Sequence, residues 1–294
     1  MMFHQTFTIA REAAISWHTH KASRIGAAIA FYATFSIAPL AIIAIAIASR
    51  FFGDSAAQGQ IVILLQGSIG TGPALFIQRI IENASQPVAN TKATILGILF
   101  LLYGASNIFH HLRGALNTMW GVQGKDHGIV RGIIRDRIRS LVFVFLIGIL
   151  LVVLIAGSTG LATLGSLISD GGYGKIAWHM FNGIIVFTVL VLLLAIVYKM
   201  LPAAKIEWRD VVVGSIVTAL LLAIGNVIIG LYLQRSAIAS VYGAVGSLLV
   251  LLLWIYYSMQ IFFIGAEFTH IYANRFGSRI ISDEGAQSRK KRKQ

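Results

Sequence analysis

The sequence predicts an all-α fold: a polytopic membrane bundle of six transmembrane helices. An amphipathic helix precedes the bundle, and short interfacial helices sit in the first periplasmic loop. Three observations carry this. Of the 294 residues, 57% are hydrophobic and only 12% are charged, about half the charged share of a soluble protein. The apolar residues gather in uncharged runs, the longest being the 31 residues Ser236 to Ala266. A helix of that length rises about 46 Å, more than the roughly 30 Å of a hydrocarbon core. The basic residues gather between alternate runs, as they do in membrane proteins with a fixed orientation.

Residues 1–24 form the first segment. Phe3, Phe7, Ala10, Ala14 and Trp17 recur at helical spacing and share one face. Two placements fit that face equally: flat in the membrane interface, or packed on the protein's own cytoplasmic parts. The membrane domain covers 25–272, with spans at about 25–49, 93–112, 140–162, 177–199, 211–234 and 243–268. The first span is too long for a signal-peptide apolar region and is retained. Gly26, Ala30, Thr34 and Ala38 place small residues on it for close helix approach. Pro39 cannot donate to the carbonyl of Phe35, so a kink is expected there, with Ser36 or a neighbouring helix satisfying the backbone. Between the first two spans, Ile61–Leu65 and Ala74–Ile81 are apolar but too short to cross, which predicts two short helices.

The second span carries a polar stripe of Tyr103, Asn107, His110, Gly114 and Asn117, expected to face the bundle interior or water. Gly214, Thr218, Gly225, Asn226 and Gly230 mark small or polar packing positions on the fifth span. On the sixth, Tyr256, Gln260, Phe263 and Glu267 fall on one face. A basic tail covers 273–294.

An even number of spans puts both termini on one side. That side carries Arg11, Lys21 and Arg24, the loop arginines from Arg113 to Arg139 with Lys125, then Lys199, Lys205 and Arg209, and the tail. Nineteen of the 24 Lys and Arg residues are there. The termini are therefore expected in the cytoplasm, the chain being multi-pass. The net charge of +13 is mostly this topology. Arg113, Arg131, Arg135, Arg137 and Arg139 are candidates for holding anionic lipid headgroups. Membrane lipids are the expected partners, and nucleic acid is not. Self-association into a homo-oligomer fits the sequence as well as a monomer does.

Four blocks also resemble the YihY / virulence factor BrkB family of bacterial inner-membrane proteins, once labelled ribonuclease BN. They are AAIAFYATFSIAPL (27–40), YGASNIFHHLRGALNTMWGV (103–122), LPAAKIEWRDVVVGS (201–215) and YGAVGSLLVLLLWIYYSMQIFFIGAEF (242–268). The resemblance implies a six-helix inner-membrane protein. Members are linked to serum resistance, and one branch to export of lipopolysaccharide precursors.

The chemistry of an enzyme is not visible. There is no Cys and there are only 11 acidic residues. His18-x-His20 is followed by Lys21 and Ala22, with no acid where a nuclease metal site needs one. His110 and His111 are adjacent and diverge by about 100° on a helix. No catalytic residue, metal or cofactor is expected, and ribonuclease activity is disfavoured. Glu267 is expected to be an interfacial anchor paired with Lys21, Arg24 or Arg275, with a proton or substrate role second. The leading functional expectation is transport or flipping of a lipid or lipid-linked envelope amphiphile. An ion- or proton-coupled transporter or channel and a non-transporting envelope-assembly scaffold are the alternatives.

Overall fold

A computed structural model describes residues 2–53, 71–84, 108–122, 172–235 and 243–282, with single positions at 59, 62, 63, 66, 142, 143, 145, 146, 149 and 150. In chain order come α1 (Met2–Thr19), α2 (Ala22–Phe52), α3 (Thr71–Ala84), α4 (108–119), α5 (Gly172–Met200), β1 (Ala204–Lys205), α6 (Trp208–Arg235), α7 (Gly243–Arg275) and β2 (Ile281–Ser282). Three of these contain stretches long and apolar enough to cross a membrane: Gly183–Met200, Trp208–Tyr232 and Val245–Arg275. They match the fourth, fifth and sixth predicted spans. α2 covers the predicted first span with 31 helical residues. Most of the predicted second and third spans lies outside the described residues.

The outward faces are those of a protein in hydrocarbon. On α6, Val212, Ile216, Leu220, Ile224, Val227 and Leu231 are all substantially exposed. Water would penalise so continuous an apolar surface, whereas lipid tails do not.

α7 is the hub. It packs against α6, α2, α1 and α3, while α5 packs against α6. The α6–α7 crossing has a reciprocal design. The Thr218 side chain lies directly over Gly265, and the Thr269 side chain directly over Gly214. Each threonine hydroxyl then donates to the carbonyl four residues back, Thr218 to Gly214 at 2.7 Å and Thr269 to Gly265 at 2.7 Å. The hydroxyls are thus satisfied within their own helices while the whole threonine side chain fills the space left by the facing glycine. Further along, Gly225 admits Tyr257 and Ile261 of α7. Gly230, predicted as a packing position, has nothing packed against it among the described residues.

α1 ends at a turn in which Lys21 takes a left-handed conformation, with φ at 54°, before α2 sets off. The buried residues of α1 are Ile9 and Ala13, which pack with Phe268 of α7. Ala10 and Ala14 of the predicted apolar face are exposed, so the packed stripe is offset by one position. Phe3 and Phe7 have only their backbone described. α2 runs unbroken through Pro39. Ser36 donates to the Tyr32 carbonyl at 3.0 Å rather than to that of Phe35. Of the two short helices predicted before the second span, α3 is one; the other falls largely outside the described residues.

The ends of α4, α5 and α7 are tied together. Gly121 takes φ of 60°, which closes α4 through bonds from Gly121 to the Thr118 carbonyl and from Val122 to the Asn117 carbonyl. The Asn117 side chain accepts from the Ala203 amide at 2.8 Å, fixing the α5–α6 loop. Buried Asp210, in the first turn of α6, accepts from the Ser278 amide at 2.9 Å and its hydroxyl at 2.8 Å. β1 and β2 pair antiparallel beside this clamp.

A side chain at Gly265 must push α6 away. Gly265→Val is expected to cost about 1–3 kcal/mol, whereas Gly230→Ala should be neutral or slightly stabilising. Thermal unfolding of the purified chain in detergent measures both.

Candidate functional site

The site grows from one face of α7. Tyr256, Gln260, Phe263 and Glu267 recur at i, i+4, i+7 and i+11, and in the fold this face turns inward: Phe263 and Glu267 are fully buried. Gln260 lies against α2, its side chain occupying the space that a side chain at Gly26 would need. Both its amide nitrogen and its amide oxygen are buried without a hydrogen-bond partner among the described residues. Tyr256 is half-buried.

Two turns below Gln260, Glu267 lies where α1, α2, α4 and α7 converge. Its Oε1 is 2.6 Å from Nδ1 of His20, which is about one-third exposed. Its Oε2 has no hydrogen-bond partner among the described residues. His270 Nδ1, one helical turn on, stands 4.0 Å from Oε2, beyond hydrogen-bond reach. On the neighbouring residue, the Ala266 carbonyl accepts from the Trp120 indole N–H at 3.1 Å. α4 therefore meets α7 beside the buried carboxylate.

Several expectations need correction. Glu267 is paired not with Lys21, Arg24 or Arg275 but with His20. Lys21 and Arg24 are exposed, and Arg275 instead meets Glu12 on the surface at 3.4 Å. The reason is geometric: α1 stops at Thr19, which sets His20 on α7, and the left-handed turn at Lys21 then swings the chain outward. The polar stripe of α4 does not face inward as a whole. His110 and Gly114 are exposed, while Phe109, Leu112, Ala115, Leu116, Met119 and Trp120 fill the interior. Asn117 is half-buried and serves the α5–α6 loop. His111, not His110, makes the close aromatic contact, stacking on Tyr32 with centroids 3.8 Å apart. Tyr103, Asn107, Arg131, Arg135, Arg137 and Arg139 lie outside the described residues; Arg113 is half-buried. Among the described residues, no three His, Asp or Glu side chains are grouped to hold a metal ion.

Sequence reasoning missed His20, which it considered only as half of a failed nuclease motif. It also missed Tyr198, buried on α5, whose hydroxyl donates to the Phe262 carbonyl at 2.8 Å and lies 3.2 Å from Thr218 Oγ1. The available signal was a lone acid at the end of an uncharged run, which demands a polar partner somewhere in the chain.

The sequence profile described as Virulence factor BrkB matches residues 14–291, including every residue of this site. The chain belongs to the virulence factor BrkB family. Among curated members, the UPF0761 membrane protein of Cronobacter sakazakii is 30% identical over 66% of this chain and 63% of its own. That of Chromobacterium violaceum is 26% identical over 84% and 57%. YihY of Escherichia coli O1:K1 is 29% identical over 66% and 63%. The chain thus spans about 57–63% of the length of these BrkB-family relatives. No solved structure matches it significantly. The names of the relatives and the apolar helices agree: this is a membrane protein.

Removing one member of a buried pair is worse than removing the charge itself. His20→Ala strands a buried carboxylate and is expected to cost about 1–3 kcal/mol. Glu267→Met should cost less, and adding it to His20→Ala should recover part of the loss. Denaturation of the four proteins in one detergent reads this cycle; equal losses in both single variants would contradict it.

Proposed function

We propose that this BrkB-family protein is a transporter of the bacterial inner membrane that moves a lipid or lipid-linked envelope amphiphile. The observation that carries the reading is the inward face of α7. Gln260 and Glu267 bring an amide and a carboxylate into the interior of the bundle, with both amide atoms and one carboxylate oxygen lacking a hydrogen-bond partner among the described residues. Polar side chains at membrane depth ordinarily mark a path for something polar. The apolar outer faces of α5 and α6 suit acyl chains, which can remain in lipid while a headgroup passes through the interior. The glycine contacts between α6 and α7 favour the small helix shifts that such passage needs.

In this reading the chain is multi-pass with both termini cytoplasmic, as the distribution of Lys and Arg indicates. The protein is not an enzyme, and its partners are membrane lipids, including anionic headgroups at the basic cytoplasmic loops. One observation favours a proton-linked variant of the same activity: the buried carboxylate is shared with a histidine.

The test is reconstitution into vesicles containing headgroup-labelled anionic lipid. Wild type is expected to expose the label to an external quencher faster than empty vesicles do. Gln260→Leu and Glu267→Gln should slow that exchange about tenfold or more, as expected when groups lining a polar path are removed. Exchange no faster than in empty vesicles, with and without a proton gradient, would refute the lipid reading.

A further inference from the structure

We infer that His20 and Glu267 form a single proton-binding site that fastens α1 to α7, and that uptake of a further proton there releases α1. The inference deepens the transport reading, on which its use in a cycle rests, but the site itself stands on geometry.

Glu267 is fully buried and His20 is about one-third exposed. The histidine is therefore the member through which a proton reaches the carboxylate from outside. At 2.6 Å the two side chains share one proton, held either as imidazolium and carboxylate or as imidazole and acid. A second proton bonds to a carboxylate oxygen, leaving a neutral acid beside an imidazolium. The attraction of opposite charges is then lost. The imidazolium, already partly exposed, is better solvated by water than by a neutral acid. Loss of the contact frees the end of α1.

The contact sits at the end of α1, where the chain turns into α2. Among the described side chains, the rest of α1 is held by apolar packing, Ile9 and Ala13 against Phe268 with Val213, Val217, Ile271 and Tyr272 around them, and Trp17 against the main core. It joins α2 through Lys21 at φ of 54°, a backbone region that a lysine seldom adopts and that a relaxed turn would leave. From α1, Glu12 pairs with Arg275 at 3.4 Å, with both residues more than two-fifths exposed, a surface pair of small worth. Lys21 in the turn and Arg24 on α2 are exposed. His270 on α7 stands 4.0 Å from Oε2, beyond hydrogen-bond reach. On α6, Asp210 is engaged by Ser278, while Gly214 opposite Thr269 carries no charge.

The test is hydrogen exchange of α1 amides in the purified full chain in lipid nanodiscs, at neutral and acidic pH, corrected for intrinsic exchange. In wild type, protection of α1 should fall about tenfold or more on acidification, as expected where a charge-assisted contact controls local opening. Glu267→Gln and His20→Gln should abolish that response, and Glu12→Gln should keep it. Protection of α6 in the same samples reports folding. If Glu267→Gln fails to fold, His20→Gln decides, since its site is partly exposed. Protection of α1 that is independent of pH in wild type, that responds equally in His20→Gln, or that stops responding in Glu12→Gln overturns the inference. A pH-responsive α1 in a protein that moves no lipid overturns the transport reading alone. Lipid movement with an unresponsive α1 overturns this inference alone.

Discussion

A carboxylate buried on a helix made for hydrocarbon must be answered from within the protein, and the contact between Glu267 and His20 is that answer. It fixes more than two side chains. To bring His20 onto α7, α1 has to end where it does, Lys21 has to turn the chain, and α2 has to pass close enough for Gln260 to lie on Gly26. The Trp120 bond to the neighbouring Ala266 carbonyl draws α4 to the same place. Three elements, α1, α2 and α4, thus meet α7 between Gln260 and Glu267, and the polar groups there are positioned by the same packing that buries them.

The rest of α7 is held by shape. Gly214 and Gly265 let α6 and α7 approach until each accepts the other's threonine, and Tyr198 ties α5 to both through the Phe262 carbonyl and Thr218. Lipid supplies no hydrophobic drive between helices, so close packing and satisfied hydrogen bonds have to bring them together. The clamp of Asp210 on Ser278 then closes the same end of the bundle, where β1 and β2 meet.

What could be read from sequence follows from the range of each interaction. α5, α6 and α7 were legible because an uncharged run is a local property of the chain. The inward face of Gln260, Phe263 and Glu267 was legible because helical periodicity is local as well. His20 was not, since it lies 247 residues from its partner in a segment whose spacing suggests only an apolar stripe. The register of that stripe was misjudged because Ala10 and Ala14 offer little area to distinguish them from Ala13. Gly214 and Thr218 stood out as small positions, but their reciprocity with Gly265 and Thr269 depends on the offset between two antiparallel helices, which no local pattern encodes. His110 looked as polar as His111, and only the rotation of α4 separates them. Membership of the BrkB family was legible in full, because the motifs that carry it lie in contiguous blocks.

The pairing itself can be observed directly. The chain has eight histidines, and nitrogen NMR of histidine-labelled protein in lipid resolves ring nitrogens engaged in strong hydrogen bonds. One Nδ1 signal is expected to show such a bond, to disappear in His20→Gln, and to move to the position of an ordinary imidazole in Glu267→Gln while the other histidines stay in place. A histidine spectrum that Glu267→Gln leaves unchanged would contradict the arrangement described.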